Sequence, residues 1–132
     1  MPHCAPRVFV VDDDKSVRRA LGRLLRSAGY EIELFDAAEA YLAREAPQPP
    51  ACLVLDVRMP GMTGMELQRA VKGTPMELPI VFITGHADEE FSNALAEVAV
   101  RVLYKPLEDT ELLAAIEQAL ARSLVARGES VR

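Results

Sequence analysis

Three consecutive carboxylates, Asp12, Asp13 and Asp14, stand where the apolar run RVFVV (7–11) gives way to KSVRRAL. Like charges this close repel, and an unpartnered carboxylate is costly to bury. Two arrangements tolerate such crowding: solvation at a surface, or a bound cation. A further acid, Asp56, follows the apolar run ACLVL (51–55). A hydroxyl, Thr84, ends PIVFIT (79–84), and an ammonium, Lys105, follows RVLY (101–104). The chemistry depends on whether these residues meet.

Short apolar runs alternate along the chain with amphipathic stretches. Besides the four runs above, YEIELF (30–35) has strand character. Between them, Val17, Ala20, Leu21, Leu24, Leu25 and Ala28 fall at helical spacing, with Gly29 as the stop. Asp36 with Glu39 has the form of a capping box opening a second helix through Tyr41 and Leu42. Leu67, Ala70 and Val71 give a third stripe, and Phe91, Ala94, Leu95 and Val98 a fourth. Leu112, Ile116, Ala119, Leu120 and Leu124 give the fifth. PQPP (47–50) is the clearest loop.

Strands alternating with helices predict parallel pairing, right-handed crossovers and helices on both faces of one sheet. The near-continuous apolarity of the first, third and fourth runs suits central strands, whereas YEIELF alternates as an edge strand does. The expected fold is α/β: a doubly wound, five-stranded parallel sheet of order 2-1-3-4-5, flavodoxin-like. Ligands of such sheets bind outside the carboxyl ends of the strands.

That rule turns the acids into a site. Asp12, Asp13, Asp56, Thr84 and Lys105 all belong to one rim, and the first and third strands bring their carboxylates face to face. A hard divalent cation such as Mg2+ suits oxygen ligands and retains water and phosphate oxygens as further ligands. Lys105 balances the remaining charge. Asp14 reads instead as the N-cap of the first helix.

Composition sets the bounds. At 132 residues, half of them apolar, the chain supports one compact core. A net charge of −5 argues against nucleic-acid binding by this segment, because phosphate binding wants a basic face. No run approaches the length of a membrane span, and MPHCAPRV lacks the pattern of a signal peptide. Cys4 and Cys52 lack metal spacing; Cys52 reads as a buried core thiol, and the compartment as cytoplasmic.

VVDDD, LVLDVRMPGMTG, VFITGH and LYKPLEDT, in this order and spacing, resemble the receiver domain of bacterial two-component response regulators. The likeness runs from about Arg7 to about Ser123, and the TGH and KPLEDT segments look most like FixJ-type receivers of transcription regulators. The resemblance implies a receiver over 7–123, between an N-terminal tail (1–6) and a tail or linker (124–132). Asp56 would accept the phosphoryl group from a sensor histidine kinase. Asp13 would bind Mg2+ directly and Asp12 mainly through water, with Asp56 itself and the backbone carbonyl of Arg58 completing the set. Lys105 and Thr84 would each engage a phosphoryl oxygen, Thr84 acting as the switch. His86 and Arg58 stand where family members tune the phosphoryl lifetime. The Lys105–Pro106 bond is commonly cis in the family. Signalling would run through the fourth helix, fifth strand and fifth helix, towards homodimerisation or a DNA-binding output domain following in a longer protein. Such a domain is a phosphoacceptor, an enzyme only toward itself.

One departure stands out. Receivers usually carry Phe or Tyr three residues before the lysine; here that position is Val102, and Tyr104 lies two residues on, on the same face. The stretch AEVAV lacks the family's frequent Ala-Gly pair, and the spacing from Thr84 to Lys105 looks about one residue short. Rival readings fare worse. A haloacid-dehalogenase-like phosphatase wants a carboxylate two residues after its nucleophile, where Arg58 stands. A nucleotide-binding module wants glycines where Asp12–Asp14 stand. A stand-alone signalling receiver without an output domain stays open.

Overall fold

In a computed structural model, residues 5–85 and 89–126 of the chain are described. Five strands form one parallel sheet, in the order β2-β1-β3-β4-β5. They are β1 (Arg7–Val11), β2 (Glu31–Phe35), β3 (Ala51–Asp56), β4 (Ile80–Thr84) and β5 (Arg101–Tyr104). The helices are α1 (Lys15–Ser27), α2 (Ala38–Leu42), α3 (Gly64–Val71), α4 (Glu89–Val98) and α5 (Asp109–Ala126). This is the doubly wound architecture that the alternation of runs predicts.

The pleat divides the core in two. Phe9, Val11, Leu53, Leu55 and Phe82 face α2, α3 and α4, meeting Tyr41, Leu67 and Leu95. Val8, Val10, Val54, Val81 and Ile83 face α1 and α5, meeting Leu25, Leu112 and Ile116. With helices on both faces, β3 and β4 are buried along their whole length. β2 lies at the edge and is only half-buried, as its alternating sequence predicts. Arg7 and Arg44 brace that edge by pairing with Glu33 at 2.8 and 2.6 Å.

Several local expectations need correction. The capping box is not at Asp36 and Glu39: α2 begins at Ala38, and its N-cap, Ala37, makes no side-chain cap bond. It lies at Thr63 and Glu66 instead. Thr63 Oγ1 accepts from the Glu66 amide at 3.2 Å, and Glu66 Oε1 from the Thr63 amide at 2.9 Å. Ala20 and Ala70 are exposed rather than on buried stripes, and Leu124 is 39% exposed at the end of α5. Gly29 ends α1 as expected, with a φ of +96° that favours glycine. The Lys105–Pro106 bond is cis.

Candidate functional site

Register builds the site. Val11 pairs with Leu55, so the residues that follow them, Asp12 and Asp56, emerge side by side at the carboxyl rim. Asp56 pairs with Ile83 on its other side, and Thr84 with Tyr104. Lys105 follows directly, its amide donating to the Thr84 carbonyl at 2.8 Å. Four strand ends thus deliver acid, acid, hydroxyl and ammonium to one place.

The three acids expected to meet do so. One carboxylate oxygen from each of Asp12, Asp13 and Asp56 lies within 4.8 Å of the others. Asp12 is fully buried and Asp56 is 5% exposed, while Asp13 faces solvent. Lys105 Nζ reaches between them, 3.4 Å from Asp12 Oδ2 and 3.7 Å from Asp56 Oδ1. Asp14 stands apart from this group. Its Oδ1 accepts from the Ser16 hydroxyl at 2.7 Å, the Ser16 amide at 2.8 Å and, more loosely, the Val17 amide at 3.4 Å. It caps α1, and these bonds hold its carboxyl below the ordinary aspartate range.

One ammonium does not neutralise the cluster. Burial first, then the charge of Asp12, push the Asp56 carboxyl up to about 7; Lys105 and the Arg58 amide pull the other way, and Asp13 adds a smaller push. Asp12 Oδ1 accepts from the Asp14 amide at 2.8 Å, yet Asp12 Oδ2 is buried with no hydrogen-bond partner among the described residues. Its close partner is the Lys105 ammonium at 3.4 Å, an ion pair without hydrogen-bond geometry, and a buried carboxylate oxygen held so loosely suits a further partner. The donor set is all oxygen, which suits a hard cation. The all-oxygen cluster could hold a hard divalent cation.

The remaining expected residues lie close by or one step away. Thr84 ends β4 and is 1% exposed. Arg58 is exposed in the loop after β3, with its amide turned to the Asp56 carboxylate. Val102 packs, partly buried, against the core beneath α2, α3 and α4, and Tyr104 is 39% exposed beside Thr84. His86 lies outside the described residues.

Two further residues hold the site: Arg18, which the sequence does not single out, and Gly64, expected with Pro60 and Gly61 only to shape the loop after Asp56. Arg18 Nη1 donates to the main-chain oxygen of Asp12 at 2.8 Å. Gly64, whose amide donates to the Val57 carbonyl at 3.1 Å, lets α3 start directly against the end of β3. An apolar-stripe reading of α1 cannot separate Arg18 from Arg19 or Arg23. The Gly64 signal was present as the glycine of MTGMEL, which carries the true capping box. A cleft of about 890 Å3 lies at the opposite, amino end of the strands, lined by Pro47, Leu78, Pro79, Val98 and Ser123 among others. It lies away from the acidic cluster, which sits at the carboxyl rim.

Comparison with known proteins agrees with the geometry. The chain matches the response regulator receiver domain family over residues 8–117. It is 44% identical to nodulation protein W of Bradyrhizobium diazoefficiens over 87% of this chain and 51% of that protein. It is 41% identical to the transcriptional regulatory protein FixJ of the same organism, over 88% of this chain and 57% of that protein. The chain thus spans about half the length of the curated relatives it matches. Among solved structures it superposes on the response regulator StyR with a TM-score of 0.86 at 48% identity, covering 96% of this chain and 64% of that one. The crystal structure of FixJ-N gives a TM-score of 0.80 at 36% identity, covering 90% and 96%.

Proposed function

The chain belongs to the response regulator receiver domain family of two-component signalling, and we propose that it accepts a phosphoryl group on Asp56 from the histidine of a partner sensor kinase. A carboxylate oxygen of Asp56 attacks phosphorus as the P–N bond to the donor imidazole breaks, leaving the electron pair on nitrogen and an acyl phosphate on Asp56. The observation that carries this reading is the burial of Asp56 beside Asp12 with Lys105 Nζ 3.7 Å away. That arrangement suits a nucleophile awaiting a dianionic group better than a structural ion pair.

Asp13, Asp56 and the Arg58 carbonyl would hold Mg2+, with Asp12 acting mainly through water. When bound, Mg2+ supplies positive charge against that building on the phosphoryl oxygens, so one anion can attack another. That charge would also favour the ionised Asp56 that the attack needs. Lys105 already approaches Asp56 and takes one phosphoryl oxygen. The Thr84 hydroxyl takes another and reads occupancy.

The switch would bias the surface of α4, β5 and α5 towards a homodimer or an output domain. Relatives named as transcriptional regulatory proteins, of which the matched part is little more than half, support transcription control as the output, with the domain working in the cytoplasm. No helix among the described residues is long and apolar enough to cross a membrane. Incubation with a small phosphodonor, with and without Mg2+, followed by intact mass, tests the chemistry. A single phosphoryl adduct that requires Mg2+ is expected. Equal labelling in chelator would count against the metal's role.

A further inference from the structure

The end of β1 is gripped by a side chain from the helix that follows it. Asp12 has four hydrogen-bonding groups, and three are tied. Its amide donates to the Phe35 carbonyl at 3.1 Å. Its Oδ1 accepts from the Asp14 amide at 2.8 Å. Its main-chain oxygen accepts from Arg18 Nη1 at 2.8 Å. Only Oδ2 is left, and it faces Lys105 and the acidic cluster.

Arg18 directs its guanidinium at this neutral carbonyl and forms no ion pair within 4 Å among the described residues. A charged donor makes a stronger bond to a carbonyl than a neutral one does. Arg19 and Arg23, on the same helix, are exposed, which makes Arg18 the α1 arginine turned to the site. The hydrogen bond to the Asp12 carbonyl gives Arg18 a direct hold on the geometry of Asp12.

We propose that Arg18 is a positioning residue for the cation site: by fixing the Asp12 main chain it fixes where Asp12 Oδ2 points, and with it the affinity for Mg2+. The inference rests on the reading of this cluster as a Mg2+ site. Partners that orient metal ligands typically change metal affinity by roughly 10- to 100-fold when removed. A main-chain partner acting through one peptide group belongs at the low end of that range.

The test compares wild type with Arg18→Ala, Arg18→Lys and Arg19→Ala, the last removing the same charge from the same helix without touching Asp12. Mg2+ affinity is measured by titration calorimetry. Exchange of the Asp14 amide, which bonds to Asp12 Oδ1, is measured by NMR in metal-free buffer. Arg18→Ala should weaken Mg2+ binding roughly tenfold and speed Asp14 exchange. Arg18→Lys should recover most of both, and Arg19→Ala should change neither. Wild-type Mg2+ affinity in Arg18→Ala, even with a lowered melting temperature, would reduce Arg18 to a structural residue and overturn the inference. An equal loss in Arg19→Ala would also overturn it, leaving only net charge. A wild type that binds Mg2+ but takes up no phosphoryl group would sink the phosphoacceptor reading while this inference stood; a wild type that binds no Mg2+ would sink both.

Discussion

A Cβ built on Gly64 would lie 2.6 Å from the main-chain oxygen of Asp56. No real Cβ sits that near a carbonyl oxygen, and a Val57 Cα at 3.2 Å closes the other side. The start of α3 is therefore docked against the peptide that carries the central carboxylate, and only glycine permits it. Gly64→Ala must push α3 away or shift the end of β3. Overpacking of this kind costs about 1–3 kcal/mol, so the melting temperature should fall by roughly 3–10 °C. Phosphoryl uptake should slow with it. An alanine variant that melts with wild type would mean that α3 yields freely, contrary to this packing.

The acidic cluster has a pH signature in metal-free buffer. Burial and Asp12 push the Asp56 carboxyl up to about 7, whereas in the unfolded chain it titrates as an ordinary aspartate near about 3.9. Between those values the folded chain holds a proton that the unfolded chain has lost. This group's contribution therefore makes stability fall as pH rises from about 4 to about 7, and level off above. Asp56→Asn removes the dependence. It should be more stable than wild type at about pH 8 in chelator, with the gap closing towards about pH 4. Saturating Mg2+ should stabilise wild type more than the variant. Thermal melts across pH check this, and a pH-independent gap would contradict a preformed acidic pocket.

Strand ends were the most legible part of the sequence because burial on both faces leaves a nearly unbroken apolar run, and an acid or hydroxyl after such a run marks its exit. Asp12, Asp56 and Thr84 are legible in this way, whereas Lys105 follows the edge strand β5. Asp14 was legible as a cap because N-capping is local chemistry. Features that depend on contacts distant in sequence were not. Ser123 Oγ accepts from the Ala51 amide at 3.1 Å, tying α5 to β3 across 72 residues. Arg18 resembles its neighbours until its partner carbonyl is known. Asp36 with Glu39 and Thr63 with Glu66 carry the same capping-box spacing, and only the second pair forms the box. The pattern alone does not say which candidate begins a helix; packing of Tyr41 and Ala38 beneath the sheet sets the start of α2.

Val102 occupies the position where the family usually has an aromatic ring. It is partly buried against the core beneath α2, α3 and α4, and a β-branched side chain cannot swing between an exposed and a buried ring position. Tyr104, exposed beside Thr84, is the aromatic side chain left on this face of β5. Coupling between Asp56 and the α4-β5-α5 surface should therefore be rerouted. Allosteric coupling is typically about 1–3 kcal/mol, so several-fold changes in dimer affinity are expected. Wild type, Val102→Phe and Tyr104→Ala, each with and without a phosphoryl mimic, should differ in mimic-dependent dimerisation by ultracentrifugation. Identical shifts in all three would exclude both positions from the switch.

The central claim is that Asp56, and no other carboxylate of the rim, carries the phosphoryl group. Intact mass after incubation with a small phosphodonor and Mg2+, followed by peptide mapping, measures this directly in wild type and Asp56→Asn. Wild type should gain one phosphoryl mass on the peptide holding Asp56, and the variant should gain none while folding normally. Labelling of Asp56→Asn at the wild-type rate, or an adduct mapped to Asp12 or Asp13, would contradict the account.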